Sequence, residues 1–263
     1  MRIEDINFFA PVGRLVLTLL AEIGRVALFT KDALLVGLSP RYFWGQIGAQ
    51  LFRVGYTSLP VVAMTAFFTG GALALQIYTG SSPTTAGTLV PSIVALGITR
   101  ELGPVLAGLM VSARVGAAMA AELGTMKVTE QTDALVTLST NPIKYLVGPR
   151  LVAAVVSLPL LVAIGDAIGI MGGYFVGTRN LGLNWASYLK VTAEQHIFED
   201  VRSGLIKALA FGFIIALMGC YHGFNSKGGA QGVGRATTNA VVSAAILILA
   251  ANFVLTSILF GAH

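Results

Sequence analysis

The amino-acid sequence predicts an all-α membrane protein with an N-terminal interfacial helix, five transmembrane helices and a short helix between spans 2 and 3. Three observations support this fold class. Charged residues make up 11% of the 263 positions, whereas soluble domains carry about 25%. Hydrophobic types reach 55%, and the mean hydropathy is +0.80. A soluble fold of this composition would expose too much apolar surface to water, and a disordered chain would contain far less apolar side chain.

Residues 1–52 are the expected interfacial region of a single domain that covers residues 1–263. From Pro11 onward, apolar residues recur at three- and four-residue steps, and charged residues such as Arg14 and Arg25 fall near the opposite stripe. A helix with one apolar and one charged face is typical of the headgroup plane of a membrane. The alternative is an ordinary helix that packs on a soluble partner.

The five-span bundle is expected within residues 53–262. Between Arg53 and Arg100 lie 46 positions without a charged residue. A crossing needs about 20 residues, so this stretch holds span 1 and begins span 2. The patterns predict spans 2 to 5 over roughly 89–122, 148–177, 204–224 and 236–260. The polar connection 178–203 carries Trp185 and Tyr188, which suit a membrane interface.

The distribution of Lys and Arg predicts a cytoplasmic N-terminus. In that orientation eleven of these residues lie on the cytoplasmic side and three on the other, in agreement with the positive-inside rule. Five spans then place the C-terminus outside. The formal net charge of +5 comes from dispersed residues, so we expect no nucleic-acid binding.

Small residues repeat at four-residue steps along three of the spans. Such stripes let helix backbones approach closely where lipid gives no hydrophobic drive to associate. We therefore expect them to pack helices rather than to carry chemistry. The stripes are Gly165, Gly169, Gly173 and Gly177; Gly108, Ser112, Gly116, Ala120 and Gly124; and Gly204, Ala208, Gly212 and Ala216.

Span 2 contains two adjacent charged residues, Arg100 and Glu101, followed by Gly103 and Pro104. Charge inside a membrane is costly and usually faces protein or a water-filled cavity. Pro104 cannot donate to the carbonyl of Arg100, so the helix should bend and free a backbone acceptor. Two interpretations stay open. The charged residues are either a polar site or hinge on the path of a lipid, or an ion pair with a purely structural role.

Asp166 in predicted span 3 and Lys207 in predicted span 4 are the other charged residues considered as sites inside the membrane. Both are candidates for buried charges with a function. For Lys207 an alternative is that the ammonium group snorkels to the membrane surface.

The polar segment from Lys127 to Leu135 predicts the short cytoplasmic helix. Thr129 can cap it, and Glu130 and Asp133 complement the positive end of the helix dipole. The dipeptide Asn141-Pro142 is expected to end it. This helix is either a lever that receives force from a soluble motor or a plain surface helix.

Several catalytic chemistries are not expected. The sequence has no phosphate loop of the Gly-x-x-x-x-Gly-Lys-Ser/Thr type and no Gly-x-Ser-x-Gly elbow. His196, Glu199 and Asp200 have a loosely metal-like spacing but no further ligand cluster. We therefore expect neither catalysis nor a bound metal or cofactor.

Five motifs taken together resemble the signature of MlaE-type permeases, which are membrane subunits of ABC transporters of the Mce system. The resemblance runs in order through roughly residues 40 to 260, with Asn141-Pro142 standing where Asp-Pro is expected. The motifs are Thr99–Pro104 (TRELGP), Ala113–Gly116 (ARVG), Ala121–Met126 (AELGTM), Thr129–Leu135 (TEQTDAL) and Gly232–Thr238 (GVGRATT).

The resemblance implies a homodimer in the bacterial inner membrane that moves phospholipid between the inner and outer membranes and maintains outer-membrane lipid asymmetry. A cytoplasmic ABC ATPase subunit, which holds the ATP and Mg, would dock on a coupling helix. A periplasmic Mce-domain hexamer and a small STAS-domain subunit would complete the complex. The first, second and fifth spans would line the dimer cavity. The implied coupling residues are Thr129, Glu130, Gln131, Asp133 and Leu135, and the charged path residues are Arg100, Glu101, Lys207 and Arg235.

A rival hypothesis is an ion- or proton-coupled secondary transporter in which Glu101, Asp166 and Lys207 form a relay. It would work without an ATPase. The odd number of spans and the lack of a visible inverted repeat argue against it. An intramembrane enzyme is a third hypothesis, which the missing catalytic constellations disfavour.

Overall fold

A computed structural model describes residues 9–37, 44–82, 84–194 and 197–261. Over these ranges the chain forms eleven α-helices and no strand, as the sequence predicts. The helices are α1 (Phe9–Gly37), α2 (Trp44–Val54), α3 (Leu59–Gly80), α4 (Ala86–Gly97), α5 (Gly103–Val111), α6 (Ala117–Val128), α7 (Gln131–Thr137), α8 (Gly148–Arg179), α9 (Trp185–Glu194), α10 (Ile197–Phe224) and α11 (Gly229–Phe260).

Five stretches of the described chain are long and apolar enough to cross a membrane, which confirms the predicted number. Most of them extend beyond the predicted limits, because their polar ends continue the helices. The stretches are span 1 (Gly45–Gly80, with α2 and α3), span 2 (Ala86–Val128, with α4 to α6), span 3 (Ile143–Arg179, with α8), span 4 (Glu199–Phe224, in α10) and span 5 (Gly229–Phe260, α11).

Consecutive spans run in opposite directions, so the bundle has two ends. The α7 end also holds the start of span 1 and the loop between spans 4 and 5, whereas α9 lies at the other end. In the expected orientation the α7 end is cytoplasmic.

Glycine brings spans 1 and 3 into backbone contact. A Cβ on Gly70 would lie 1.8 Å from the carbonyl oxygen of Gly169, and one on Gly172 would lie 2.1 Å from the carbonyl oxygen of Phe67. Side chains at these positions would force the helices apart. The stripe that contains Gly169 thus packs helices, as the sequence predicts.

Span 4 lies at the centre of the bundle and packs against spans 2, 3 and 5. Ala208, Phe211 and Ile215 are fully buried. Span 5 differs, because its buried residues form one narrow stripe from Gly232 to Ile248 at four-residue steps. Most of its other large apolar side chains are exposed, as expected for a helix that faces lipid or another protein.

Span 2 is not a regular α-helix. A π-helical turn at Ile98–Leu102 precedes Pro104, and the amide of Gly103 donates to the carbonyl of Ile98, five residues back. The proline was predicted to bend the helix and to free the carbonyl of Arg100. The structure accommodates the missing amide with this widened turn.

The segment around α7 departs from the sequence prediction at both ends. Thr129 does not cap α7; its hydroxyl donates to the carbonyl of Thr125 at 2.9 Å, so it belongs to the preceding helix. Glu130 occupies the position before α7 in a left-handed conformation, with φ of 61°. The helix ends at Thr137, so Asn141-Pro142 does not end it either. Instead the Asn141 side chain accepts from the amide of Ile143 at 2.9 Å and caps the start of span 3.

The connection 178–203 was predicted as a polar interface segment, and it contains helix α9. Trp185 is exposed, whereas Tyr188 is fully buried. The Tyr188 ring lies against Gly177, where a Cβ would come within 2.8 Å of it. This burial raises the pKa of the Tyr188 hydroxyl. Only Trp185 therefore has the surface position expected of an interfacial aromatic residue.

The N-terminal helix α1 is present as predicted, and residues 1–8 and 38–43 of the interfacial region lie outside the described residues. The helix packs against the α7 end of span 4. The Tyr221 hydroxyl donates to Glu22 Oε2 at 3.0 Å, and the rings of Phe29 and Tyr221 meet edge to face at 5.7 Å.

Candidate functional site

The carboxylate of Glu101 lies where spans 2, 4 and 5 meet, in the half of the bundle nearer α9. Three side chains donate hydrogen bonds to it. Lys207 Nζ reaches Oε1 at 2.9 Å, Thr256 Oγ1 reaches the same oxygen at 3.0 Å, and Asn252 Nδ2 reaches Oε2 at 2.7 Å. One carboxylate thus ties three transmembrane helices together.

Lys207 is the most deeply buried member of this network, with 0% of its side chain exposed. Its ammonium also donates to the carbonyl of Arg100 at 2.8 Å, which is the acceptor that Pro104 leaves free. The prediction of a freed acceptor is thus confirmed. The snorkelling alternative for Lys207 is wrong, because the ammonium points into the bundle.

Backbone contact between spans 2 and 4 makes this reach possible. A Cβ on Gly204 would lie 2.6 Å from the carbonyl oxygen of Thr99. Lys207 follows Gly204 by three residues, on the same side of the helix. The small residue therefore brings the helices close enough for the lysine to reach span 2.

Arg100 does not pair with the adjacent Glu101. Its Nε donates to Asp200 Oδ1 at 2.6 Å, and its guanidinium carbon lies 4.1 Å from the centre of the Phe260 ring. Asp200 is almost fully buried, whereas a third of the Arg100 side chain is exposed. Arg100 thus forms the accessible edge of the network, and its guanidinium can still meet an anionic group.

Asp166 lies against the predicted hinge. A Cβ on Gly103 would come within 1.8 Å of Asp166 Oδ1, so glycine is required there for this packing. Only 3% of Asp166 is exposed, and neither carboxylate oxygen has a hydrogen-bond partner among the described residues. It thus makes no hydrogen bond to Glu101 or Lys207, its predicted companions in a relay.

Arg235 is not part of this network. It is exposed near the α7 end of span 5, and Asn252 follows it by 17 residues on the same helix. A helix rises about 1.5 Å per residue, which separates the two residues by about 25 Å along the axis. The four predicted path residues therefore form a cluster of three and one distant residue.

Of the predicted coupling residues, Gln131, Asp133 and Leu135 lie within α7, and Thr129 and Glu130 directly precede it. Glu130, Gln131 and Asp133 are exposed, and Asp133 accepts from Lys127 Nζ at 2.8 Å. Leu135 instead packs against the hydrophobic core. The exposed apolar side chains of this segment are those of Val136 and Leu138, at 59% and 73%, and neither residue was among the predicted coupling residues.

A second charged cluster at the α7 end was also missed. Glu122 of span 2 accepts from Arg53 Nη1 at 3.0 Å and from Arg150 Nη2 at 2.9 Å. Arg150 is buried and also donates to the carbonyl of Leu146. One carboxylate thus joins the starts of spans 1 and 3 to span 2, close to α7. Arg53, Glu122 and Arg150 are charged residues at or near the ends of apolar stretches, and this position in the sequence could have identified them as candidates for a charged cluster.

Within the described ranges no group of three His, Cys, Asp or Glu side chains is close enough to hold a metal ion. Of the loosely metal-like set, His196 lies outside the described residues and Asp200 is paired with Arg100. The described networks can hold polar groups by hydrogen bonds and charge.

Comparisons with known proteins agree with this arrangement. The sequence model of a family described as permease MlaE matches residues 47–258. A probable ABC transporter permease protein of Rickettsia typhi is 52% identical, over 97% of this chain and 98% of its own length. The intermembrane phospholipid transport system permease protein MlaE of Haemophilus influenzae is 33% identical, over 98% of this chain and 99% of its own. The chloroplastic protein trigalactosyldiacylglycerol 1 of Arabidopsis thaliana is 35% identical, over 85% of this chain and 64% of its own. This chain belongs to the MlaE permease family.

Proposed function

We propose that the chain is the permease subunit of an ATP-driven ABC transporter that moves phospholipids between the inner and outer membranes and so maintains outer-membrane lipid asymmetry. The chain has no catalysis of its own in this proposal, since ATP and Mg bind to the partner ATPase. The observation that carries the proposal is the Arg100–Glu101–Lys207 network, a charged site inside a largely apolar bundle. The name of the Haemophilus relative, a phospholipid transport system permease, supports the same substrate class.

The Arg100–Glu101–Lys207 network suits the headgroup of a lipid. Arg100 keeps a third of its side chain exposed while Asp200 holds its Nε, so its terminal nitrogens can pair with a phosphate. Apolar walls of the spans would accommodate the acyl chains. Arg235, about 25 Å away along span 5, would meet a headgroup at the other membrane surface.

Glu101→Ala tests this role. It removes the acceptor of three hydrogen bonds and leaves Lys207 buried without its counter-charge. We expect weaker lipid transport and weaker lipid-stimulated ATP hydrolysis in reconstituted vesicles. The matched control is Glu194→Ala, because Glu194 is an exposed acid of α9. Wild-type transport by the Glu101 variant would return the network to a purely structural role.

The partner ATPase is proposed to dock on the α7 segment. Glu130, Gln131 and Asp133 offer exposed polar groups, and the exposed Val136 and Leu138 offer apolar contact. A mixed surface of this kind suits a protein interface. The homodimer, the Mce-domain hexamer and the STAS-domain subunit rest on the family resemblance, as does the inner-membrane location with a periplasmic C-terminus.

A double charge reversal tests the docking surface. Glu130→Lys with Asp133→Lys should leave the chain inserted but uncouple ATP hydrolysis from lipid movement, because it reverses the charge of two exposed acids on the proposed docking surface. The control is Lys190→Glu with Glu194→Lys on α9, which changes an exposed pair at the other end of the bundle. Unchanged transport by the α7 variant would count against the coupling role.

The ion- or proton-coupled alternative is not favoured, because the family is one of ABC transporter permeases by the names of its members. Glu101 and Lys207 are in direct contact, whereas a relay would also need a path to Asp166. Dependence of transport on a proton gradient rather than on ATP would restore this alternative.

A further inference from the structure

An open groove of about 1000 Å³ lies between α1 and spans 4 and 5, at the α7 end of the bundle. Its size is in the range of ligand pockets, about 300 to 1000 Å³. It is separate from the Glu101 network, which lies at the other end of span 5. None of its lining residues is a predicted path or coupling residue.

The lining of the groove changes from polar to apolar along span 5. Asn239, Ser243 and Leu247 line it at successive turns, about 6 Å apart along the axis. On span 4, His222 lies beside Ser243, with 3.0 Å between Nε2 and Oγ, and Met218 lies one turn deeper. The groove is thus polar near the membrane surface and apolar toward the centre of the bilayer. A lipid has the same polarity along its length.

The polar mouth carries charges of both signs. Glu22 and Arg25 of α1 form an ion pair at 2.5 Å, and more than half of each side chain is exposed. Lys227 is also exposed and forms no ion pair with any residue in the described part of the chain. One carboxylate and two cations therefore face the same space. This set complements a headgroup that contains both a phosphate and an ammonium.

We infer that this groove binds one zwitterionic phospholipid from the membrane leaflet at the α7 end. The phosphate lies toward Arg25 and Lys227, the ammonium toward Glu22, and an acyl chain along Ile246 and Leu247. The inference rests on the proposed function and names the surface from which the permease takes or releases lipid. Glu22 and Arg25 lie on α1, so this helix forms part of the lipid site.

Lipid binding to the purified full-length chain tests the inference without requiring transport. The chain in mild detergent is equilibrated with equal amounts of phosphatidylethanolamine and phosphatidylglycerol of identical acyl chains, and bound lipid is counted by native mass spectrometry. We expect one phosphatidylethanolamine to be retained in preference. Ile246→Trp fills the apolar wall and should lower its retention about ten-fold, the loss of contact with about two methylene groups.

The matched control is Leu160→Trp on span 3, since Leu160 and Ile246 are exposed to 62% and 61% and only Ile246 lines the groove. Lys227→Glu changes a loop residue outside the helices. It should strengthen the preference for phosphatidylethanolamine over phosphatidylglycerol. Equal retention by the Ile246 and Leu160 variants, or equal binding of the two lipids, would overturn the inference. A disulfide between two copies of an Ile246→Cys variant would also overturn it, because protein would then cover the groove.

Failure of the inference and failure of the proposed function give different results. If the lipid is retained but the complete transporter moves no lipid with ATP, the groove is a lipid site and the transport proposal fails. If transport proceeds and Ile246→Trp retains lipid normally, the transport proposal stands and this site is wrong.

Discussion

Replacing Lys207 by Met tests the energetic role of the charged network. The substitution keeps an unbranched side chain of similar length and removes the ammonium group. The carbonyl of Arg100 then loses the hydrogen bond of 2.8 Å that Lys207 donates to it. Glu101 keeps only the hydrogen bonds from Asn252 and Thr256. Both losses occur between helices, so they should weaken the contact of span 4 with span 2.

The expected loss of stability follows from the burial of the two partners. Removing one partner of a buried ion pair costs about 3 to 5 kcal/mol. Lys207 is 0% exposed, but the Glu101 side chain is 37% exposed and stays partly solvated. We therefore expect about 3 kcal/mol, the lower end of that range. Adding Glu101→Gln to Lys207→Met removes the unpaired charge. Because the two residues are in contact, the double variant should recover about 1 to 2 kcal/mol of the lost stability.

Unfolding in mixed detergent micelles, followed by circular dichroism, measures these free energies. The control is Lys190→Met, because Lys190 lies 3.8 Å from Glu194 and both side chains are largely exposed. A surface pair contributes about 0 to 1 kcal/mol, so this variant should change little. If Lys207→Met were as stable as Lys190→Met, the network would not hold the helices together and the reasoning would be refuted.

Two further predictions concern glycines at helix contacts. Gly70→Ala should lower the yield of folded protein and its unfolding temperature, because the new Cβ would lie 1.8 Å from the carbonyl oxygen of Gly169. The control is Gly80→Ala, which should leave both unchanged because no atom lies within 4 Å of the new Cβ. Equal yields and unfolding temperatures for the two variants would contradict the close packing of spans 1 and 3. Gly103→Ala should destabilise the chain, because the new Cβ would lie 1.8 Å from Asp166 Oδ1 and 2.8 Å from the carbonyl oxygen of Ile98. The double variant Gly103→Ala with Asp166→Ala removes the closer contact and should recover part of the loss in the same unfolding assay; no recovery would show that the collision with Asp166 is not the cause.

Much of the fold could be predicted from the sequence, because a bilayer imposes strong constraints. A span needs about 20 apolar residues, so composition and gaps between charges determine the number of spans. The first and last residues of each span were harder to predict. Span 5 begins at Gly229, before the charged Arg235, because a helix continues past the apolar stretch that predicts it.

The local prediction for Thr129 failed for a physical reason. A threonine before a helix often caps it, but a threonine at the end of the preceding helix can donate back to that helix instead. The left-handed φ of Glu130 separates the two helices, and no simple pattern predicts it for a non-glycine residue. The helix itself was predicted correctly, since it depends on composition and not on the cap.

The charged site could be predicted only in part. Charges in apolar spans identified Arg100, Glu101 and Lys207, and Pro104 predicted the free carbonyl that Lys207 occupies. The polar partner Asn252 was not identified, because it is 151 residues from Glu101 in sequence. A polar residue on an otherwise apolar helix is a signal, but its partner depends on which spans are neighbours.

Transport by the reconstituted complex tests the central claim most directly. The chain is incorporated into vesicles with and without its ATPase partner, and movement of a labelled phospholipid to an acceptor is followed with ATP, with a non-hydrolysable analogue and with a proton gradient alone. We predict movement only with the ATPase and hydrolysable ATP. Phospholipid movement by the chain alone, or movement driven by the proton gradient, would contradict the claim.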